Sequence, residues 1–220
     1  MPDSVTILGG GNTAFSVAAN LTHQGHQVTL WEIPTFEHTL EPIRKTQEIN
    51  LLGVAETGPA RIHAITTDIS EAFKASDLVL VIVPSYAHDP FIEACVPHIT
   101  AGHTVVLMPG NIGTLTWAKN LKEMGSAVPT LAEVDTAPYV CRKTAPNTAT
   151  IWGVVTGLGL GVMPTDRTEQ VRIRLDGLFP GVHTYPEVVA SGLSAMNPVV
   201  HPAGLLMNAG RVERSRGEFY

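Results

Sequence analysis

A glycine-rich turn near the amino terminus constrains the fold of this chain more than any other feature. It follows a short apolar run, Val5–Leu8, and it precedes apolar residues at helical spacing that continue to Gly25. Between a strand and a helix, G-x-G-x-x-A spacing allows a tight turn, a close backbone approach and close helix packing. Free amides and the positive dipole end of the helix then favour a phosphate. We therefore predict a pyrophosphate site at Gly9, Gly10, Gly11, Asn12, Thr13 and Ala14.

A carboxylate follows the second predicted strand, Gln27–Trp31, at Glu32. An acidic residue about 20 positions after the first glycine of such a loop accepts hydrogen bonds from the ribose hydroxyls. It would also repel a 2′-phosphate, and residues 33–36 contain no arginine to neutralise one. The sequence thus predicts NAD as the cofactor, with NADP less favoured. The alternative is that Glu32 is a solvated charge at the end of a strand.

Strand and helix signals alternate along most of the chain, which predicts an α/β Rossmann fold with a doubly wound parallel sheet. Its strongest strand signal is the apolar run Leu78–Val83, which should be central. A hairpin over residues 139–163 is expected to close the sheet. Domain 1–186 would bind the dinucleotide, and residues 187–220 would begin a truncated α-helical second domain. The other expected elements are helices at 37–50, 68–75, 91–99, 115–124 and 166–178, a hairpin or irregular segment at 51–63, and strands at 64–66, 104–108, 129–134 and 182–185.

Two loops follow predicted strands and should border the cofactor, because ligands of such sheets bind beyond the strand carboxyl ends. In them we expect Val83, Pro84 and Gly110 to contact the cofactor and Asn111 to bind a substrate carboxylate. His88 is a second candidate for a catalytic histidine. An ordinary turn is an equally good explanation of each loop.

Composition excludes several classes of function. The net charge is −6 and lysine and arginine are not clustered, which argues against a nucleic-acid partner. The longest apolar tract, residues 151–163, contains several glycines and is shorter than the roughly 20 residues that span a membrane. The amino terminus lacks signal-peptide features. Cys95 and Cys141 match no metal or paired-thiol spacing, which predicts reduced thiols, no metal and a cytoplasmic location.

The segment Asn197-Pro198-Val199-Val200-His201-Pro202 resembles the start of the helical domain of opine dehydrogenases, the octopine and nopaline dehydrogenase family. The glycine loop and residues 137–142 resemble the same family. The resemblance implies an NAD(P)-dependent oxidoreductase that condenses an amino acid with a 2-oxo acid such as pyruvate and reduces the imine. It also implies that His201 relays a proton, a role that suits imidazole because it titrates near neutrality.

The sequence departs from that family after His201. Family members continue as a helical domain with an acidic partner for the histidine, whereas here only Glu213 and Glu218 follow. The chain could be a fragment or inactive, or a second chain or a homo-oligomer could supply the helical domain.

Two other functions remain open. A ketopantoate-type reductase or a glycerol-3-phosphate-type dehydrogenase would use a lysine, and no lysine follows Lys143. A non-catalytic NAD-binding module would need the glycines and Glu32 but not His201.

Overall fold

The computed structural model describes residues 3–215. Met1 and Pro2, at the amino terminus considered for a signal peptide, lie outside this range. So does Glu218, one of the two carboxylates that follow His201. In chain order the strands are β1 (Ser4–Leu8), β2 (Gln27–Trp31), β3 (Glu48–Gly53), β4 (Gly58–Arg61), β5 (Ala64–Thr66), β6 (Leu78–Val81), β7 (Thr104–Leu107), β8 (Thr130–Val134), β9 (Tyr139–Ala145), β10 (Thr148–Val154), β11 (Gly159–Met163) and β12 (His183–Thr184). The helices are α1 (Asn12–His23), α2 (Glu41–Arg44), α3 (Ile69–Ala75), α4 (His88–Cys95), α5 (Gly113–Glu123), α6 (Thr168–Asp176), α7 (Val188–Leu193), α8 (Asn197–Met207) and α9 (Ala209–Arg214).

The main sheet has eight strands in the order β12-β11-β8-β7-β6-β1-β2-β5. Its strands from β5 to β8 pair in parallel, and β11 is antiparallel to β8. The chain winds outward from β1 in both directions, which confirms the predicted doubly wound fold. A point of reversal of this kind leaves a crevice beyond the strand carboxyl ends.

Two hydrophobic cores cover the two faces of this sheet. Along β6, Leu78 and Leu80 point into one core and Val79 and Val81 into the other, as the alternation of side chains along a strand requires. The first core also holds apolar residues of α1 and α6, and the second holds those of α3, α4 and α5. Because both faces are covered, β6 can be apolar throughout.

A second sheet, in the order β4-β3-β10-β9, packs against α1. The prediction that residues 139–163 form a hairpin closing the main sheet is therefore wrong. Strands β9 and β10 do pair antiparallel, but β10 then pairs with β3, and β11 alone joins β8. Local sequence predicts that two strands form a hairpin, yet the choice of sheet depends on the exposed edge they meet.

The predicted helix over residues 37–50 is also wrong. A 3₁₀ turn covers Pro34–Thr39, α2 lasts only four residues, and β3 begins at Glu48. Pro42 lacks an amide hydrogen and limits the helix, and pairing with β4 and β10 gives residues 48–53 an extended conformation. The expected hairpin at 51–63 is present as β3 and β4. It begins earlier than expected, because β3 starts at Glu48.

The other expected elements are present with small changes of boundary. Helix α3 begins directly after Asp68, whose carboxylate accepts a hydrogen bond from the Ser70 amide at 2.8 Å. Helix α4 begins three residues before the expected position because His88 already has helical geometry. Both cysteines are buried free thiols.

Helices make up the end of the described chain. Helix α7 packs on β11, where a side chain at Gly161 would meet the Val188 Cα at 2.7 Å. Helix α8 exposes apolar side chains, including Leu206 and Met207, which are 80% and 87% exposed. The second domain over residues 187–220 stays a prediction. No helix formed by residues 3–215 has the length and apolar character needed to cross a membrane.

Candidate functional site

A cleft of about 320 Å³ opens at the carboxyl ends of β1, β6 and β7. This is the edge at which the winding of the sheet reverses, where ligands of such folds bind. The amino terminus of α1 forms one wall, and the loops after β6 and β7 form the others. The lining residues are Gly11, Asn12, Thr13, Ile82, Val83, Pro84, Ser85, Met108, Pro109, Asn111 and Arg142.

The glycine loop has the conformation that a pyrophosphate site requires. Gly9 has a φ of +125°, and a Cβ there would lie 2.6 Å from the carbonyl oxygen of Ile82. Gly11 lines the cleft, and no atom lies within 4 Å of the position its Cβ would take. The first helical hydrogen bond of α1 is donated by the Phe15 amide to the Gly11 carbonyl. The preceding amides have no acceptor within the helix and can bind an anion.

Glu32 lies at the end of β2 and is only 6% exposed. Its Oε2 accepts a hydrogen bond from the Gly10 amide at 2.6 Å, and its Oε1 accepts one from the Ile33 amide at 2.9 Å. Burial raises the pKa of Glu32, and these two amides oppose that shift. Each carboxylate oxygen has a second lone pair, so the side chain can still accept from ribose hydroxyls. Glycine loop and carboxylate together fit a dinucleotide.

Gly10 has no side chain because its surroundings are filled. A Cβ at this position would collide with the Thr39 hydroxyl and lie 2.9 Å from Glu32 Oε2. Lys143 on β9 closes the same side of the loop, since its amide donates to Asn12 Oδ1 at 2.8 Å. The second sheet thus anchors the glycine loop.

A second carboxylate, Glu133 on β8, supports the loop after β7. It is fully buried, and it accepts hydrogen bonds from the amides of Ile112 and Thr114 at 2.9 and 3.1 Å and from the Thr114 hydroxyl at 2.7 Å. Asn111 and Ile112 both have positive φ, at 51° and 67°, a conformation rare for such residues. Glu133 stabilises this loop and thereby places Asn111 in the cleft wall.

The predicted site residues fall into three groups: residues that line the cleft, buried residues of and beside the glycine loop, and two residues away from the cleft. Gly11, Asn12, Thr13, Val83, Pro84 and Asn111 line the cleft. Gly9, Gly10, Ala14 and Glu32 are buried directly behind or beside the glycine loop.

Gly110 and His201 do not line the cleft. The amide and carbonyl of Gly110 bond to Val134 and Gly113, and its missing side chain makes room for Glu133. His201 lies on the exposed helix α8. That helix begins at Asn197 without a side-chain cap.

His88, the second candidate histidine, is buried between helices. Its imidazole packs on Trp117 with the ring centroids 6.2 Å apart. Burial lowers its pKa, which favours a neutral imidazole. A packing role explains His88 without catalysis.

Sequence reasoning missed the contributions of Thr39, Glu133, Arg142 and Lys143. Glu133 carried a usable signal, because it is a single charge inside the apolar run of β8, as Glu32 is a charge at the end of β2. Arg142 ends the segment 137–142 that resembles opine dehydrogenases, but the resemblance gave it no role. Thr39 and Lys143 carried no signal, since they reach the site through a 3₁₀ turn and a second sheet that were not predicted.

Fold and cleft together define a Rossmann-class dinucleotide-binding protein. The chain belongs to the family described as the NAD-dependent glycerol-3-phosphate dehydrogenase N-terminus, whose model matches residues 4–125. The family is NAD-dependent, in agreement with the predicted class of cofactor.

Individual relatives indicate the kind of enzyme the chain resembles. It is 27% identical to an opine dehydrogenase of Arthrobacter sp. over 208 residues, which cover 94% of this chain and 57% of the relative. It is 30% identical to a glycerol-3-phosphate dehydrogenase [NAD(P)+] of Pseudoalteromonas translucida over 131 residues, which cover 57% of this chain and 38% of the relative. The first of these matches confirms the resemblance to opine dehydrogenases. The chain spans little more than half the length of the opine dehydrogenase.

A solved structure gives the same likeness at the level of the fold. An octopine dehydrogenase with NADH and L-arginine has a TM-score of 0.73 and 19% identity to this chain. The match covers 99% of this chain and 56% of the octopine dehydrogenase chain. The similarity in fold therefore includes both the main sheet and the helices that follow it.

Proposed function

We propose that this chain is the dinucleotide-binding part of an opine dehydrogenase, which uses NADH to reduce the imine formed from an amino acid and a 2-oxo acid such as pyruvate. The observation that carries the proposal is the cleft at the reversal point of the sheet, where Gly11 leaves an open approach to the amino terminus of α1. Gly9–Ala14 would hold the pyrophosphate and Glu32 the adenosine ribose. When bound there, NADH supplies the hydride.

The cleft wall also supports the proposed class of substrate. Both an amino acid and a 2-oxo acid carry a carboxylate, and the guanidinium group of arginine is well suited to bind one. Arg142 lines the cleft, and Asn111 lies in the wall opposite α1. We propose that these two side chains orient the substrate carboxylates.

His201 is proposed to hold and deliver the proton. Formation of the imine releases water, and reduction needs a hydride at carbon and a proton at nitrogen. Helix α8 carries His201 on its exposed surface, and proton transfer requires the imidazole within hydrogen-bond reach of the nitrogen. The proposal therefore includes a helical domain, within the protein or from a second copy, that encloses the cleft together with α8.

The second candidate is a glycerol-3-phosphate dehydrogenase, which is favoured by the family match over residues 4–125. The opine dehydrogenase relative extends over 94% of the chain and the glycerol-3-phosphate dehydrogenase relative over 57%. That difference in coverage leads us to prefer the opine dehydrogenase.

NADH oxidation should be measured with pyruvate and a panel of amino acids, and NAD reduction with glycerol 3-phosphate. We expect turnover only when pyruvate and an amino acid are both present, and a loss of about 10²-fold or more in His201→Ala. His63→Ala, which removes an exposed histidine outside the cleft, is the matched control. Turnover of glycerol 3-phosphate would favour the second candidate, and unchanged activity of His201→Ala would remove that residue from the mechanism.

A further inference from the structure

Lys143 brings a cationic group to the ribose side of the glycine loop. Its amide bond to Asn12 Oδ1 fixes this point of β9 against α1. Its Nζ donates to the Thr39 carbonyl at 3.2 Å and to the Gly10 carbonyl at 3.5 Å. The ammonium also lies 3.6 Å from the centroid of the buried Phe15 ring. A residue far away in sequence is thus held over the loop by contacts along its whole length.

The charge of Lys143 is not consumed by an ion pair. Among residues 3–215, no ion pair within 4.0 Å includes its ammonium. Arg44 of helix α2 differs, because it is paired with Glu37 at 3.4 Å. Backbone carbonyls orient the lysine ammonium but cancel none of its net charge. A phosphate entering this region would therefore meet an available cation.

Glu32 and Lys143 approach the same residue from two sides. The carboxylate of Glu32 accepts from the Gly10 amide, and the ammonium of Lys143 donates to the Gly10 carbonyl. In the proposed cofactor site, Glu32 binds the ribose hydroxyls. A phosphate on the 2′-oxygen would lie within a few ångströms of the ribose, and a lysine ammonium on a flexible stem with three donors can turn to meet it. Glu32 alone would exclude that phosphate by charge repulsion, whereas Glu32 beside Lys143 would not.

We propose that Lys143 determines cofactor specificity by admitting the 2′-phosphate, so that the site binds NADPH as well as NADH. The inference rests on the proposed dinucleotide function. The neutralising cation that residues 33–36 lack would come instead from β9 of the second sheet. NADH has no 2′-phosphate, so its affinity should depend less on Lys143 than the affinity of NADPH does.

Dissociation constants for NADH and NADPH test this proposal in wild type, Lys143→Met and Lys143→Arg. We expect Lys143→Met to weaken NADPH binding about 10- to 100-fold more than NADH binding, since a charge-assisted hydrogen bond to the 2′-phosphate is lost only with NADPH. Lys143→Arg should keep NADPH binding. Adenosine 2′,5′-bisphosphate should lose affinity in Lys143→Met in parallel with NADPH, and ADP should not.

Lys119→Met is the matched control, because Lys119 is exposed and pairs with Glu123 on α5. Circular dichroism of each variant checks that it folds. Equal weakening of both dinucleotides in Lys143→Met would identify the lysine as a structural clamp and overturn the inference. If the wild-type protein binds NADH but not NADPH, the inference about Lys143 is wrong and the proposed function stands. If the folded protein binds neither dinucleotide, the proposed function is wrong as well.

Discussion

Two helices begin at the same edge of the main sheet, and their amino termini differ in one respect. At α1 the N-cap residue is Gly11, which faces the cleft with open space around it. At α5 the amino terminus is filled by the buried carboxylate of Glu133. The same free amides and the same dipole occur at both helices. A helix amino terminus therefore becomes an anion site only where the fold has not already supplied an anion.

The glycines around the two helices reflect this difference. Gly110 and Gly192 lie against the Glu133 side chain, and a Cβ at Gly192 would approach its Oε1 to 2.7 Å. Their missing side chains serve internal packing. The missing side chain of Gly11 serves no packing and leaves the approach to α1 free. Glycine in a loop of this fold thus indicates either a ligand or a close internal contact, and the neighbouring atoms distinguish the two.

The largest expected effect on the free energy of unfolding comes from removing the carboxylate of Glu133 at the amino terminus of α5. Glu133→Ala should lower the free energy of unfolding by about 3 kcal/mol, because the amides of Ile112 and Thr114 lose their acceptor in a buried site. Urea denaturation measures this change. Glu123→Ala on the exposed surface of the same helix should change it by less than about 0.5 kcal/mol. A tolerated Glu133→Ala would show that the amino terminus of α5 does not need an internal anion.

Gly9→Ala should lower the free energy of unfolding by about 2 kcal/mol, since its positive φ and the nearby Ile82 carbonyl both oppose a side chain. Gly25→Ala is the control, because Gly25 also has positive φ, at +89°, but no atom near its Cβ position. Denaturation measures how much more unfolding free energy is lost in Gly9→Ala than in Gly25→Ala, and this difference reports the close approach of the loop to β6. Equal losses in the two variants would mean that only backbone strain opposes a side chain at Gly9.

Gly11→Ala separates binding from stability. Gly11 has a φ of −80° and no neighbour at the Cβ position. The free energy of unfolding should therefore change by less than about 0.5 kcal/mol. The new methyl group would project into the proposed pyrophosphate site, and NADH affinity, followed by its fluorescence, should fall about 10-fold or more. Undiminished affinity in the folded variant would mean that the phosphates do not pack on α1.

The smallest effect concerns pH. Burial raises the pKa of Glu32 in the folded protein. Its contribution to stability is therefore full below the pKa of the unfolded chain and is lost as the pH rises through the folded value. Relative to Glu32→Gln, the wild-type free energy of unfolding should decrease from acidic toward neutral pH. An increase over the same range would show that amide hydrogen bonds, rather than burial, dominate at Glu32.

Prediction from sequence succeeded where the signal was local. The glycine loop, α1 and the alternation of strands and helices follow from residue spacing within a few turns, and the structure contains all of them. The helix expected over residues 37–50 failed because β3 takes its conformation from pairing with β4 and β10. The roles of Val83, Pro84, Gly110, Asn111 and His201 stay predictions.

The sequence by itself determined the strand–loop–helix unit that holds Gly11 and the carboxylate at Glu32, since spacing and backbone preference act over neighbouring residues. Only the tertiary structure decided that Lys143 meets Gly10 and that Glu133 fills the amino terminus of α5. Those contacts join residues that lie 133 and about 20 positions apart. Their physical reason is the packing of whole sheets and crossovers, which brings distant charges together. The local pattern marks Glu133 as a charge within an apolar strand but does not show its partners, and it gives no sign of the contact between Lys143 and Gly10.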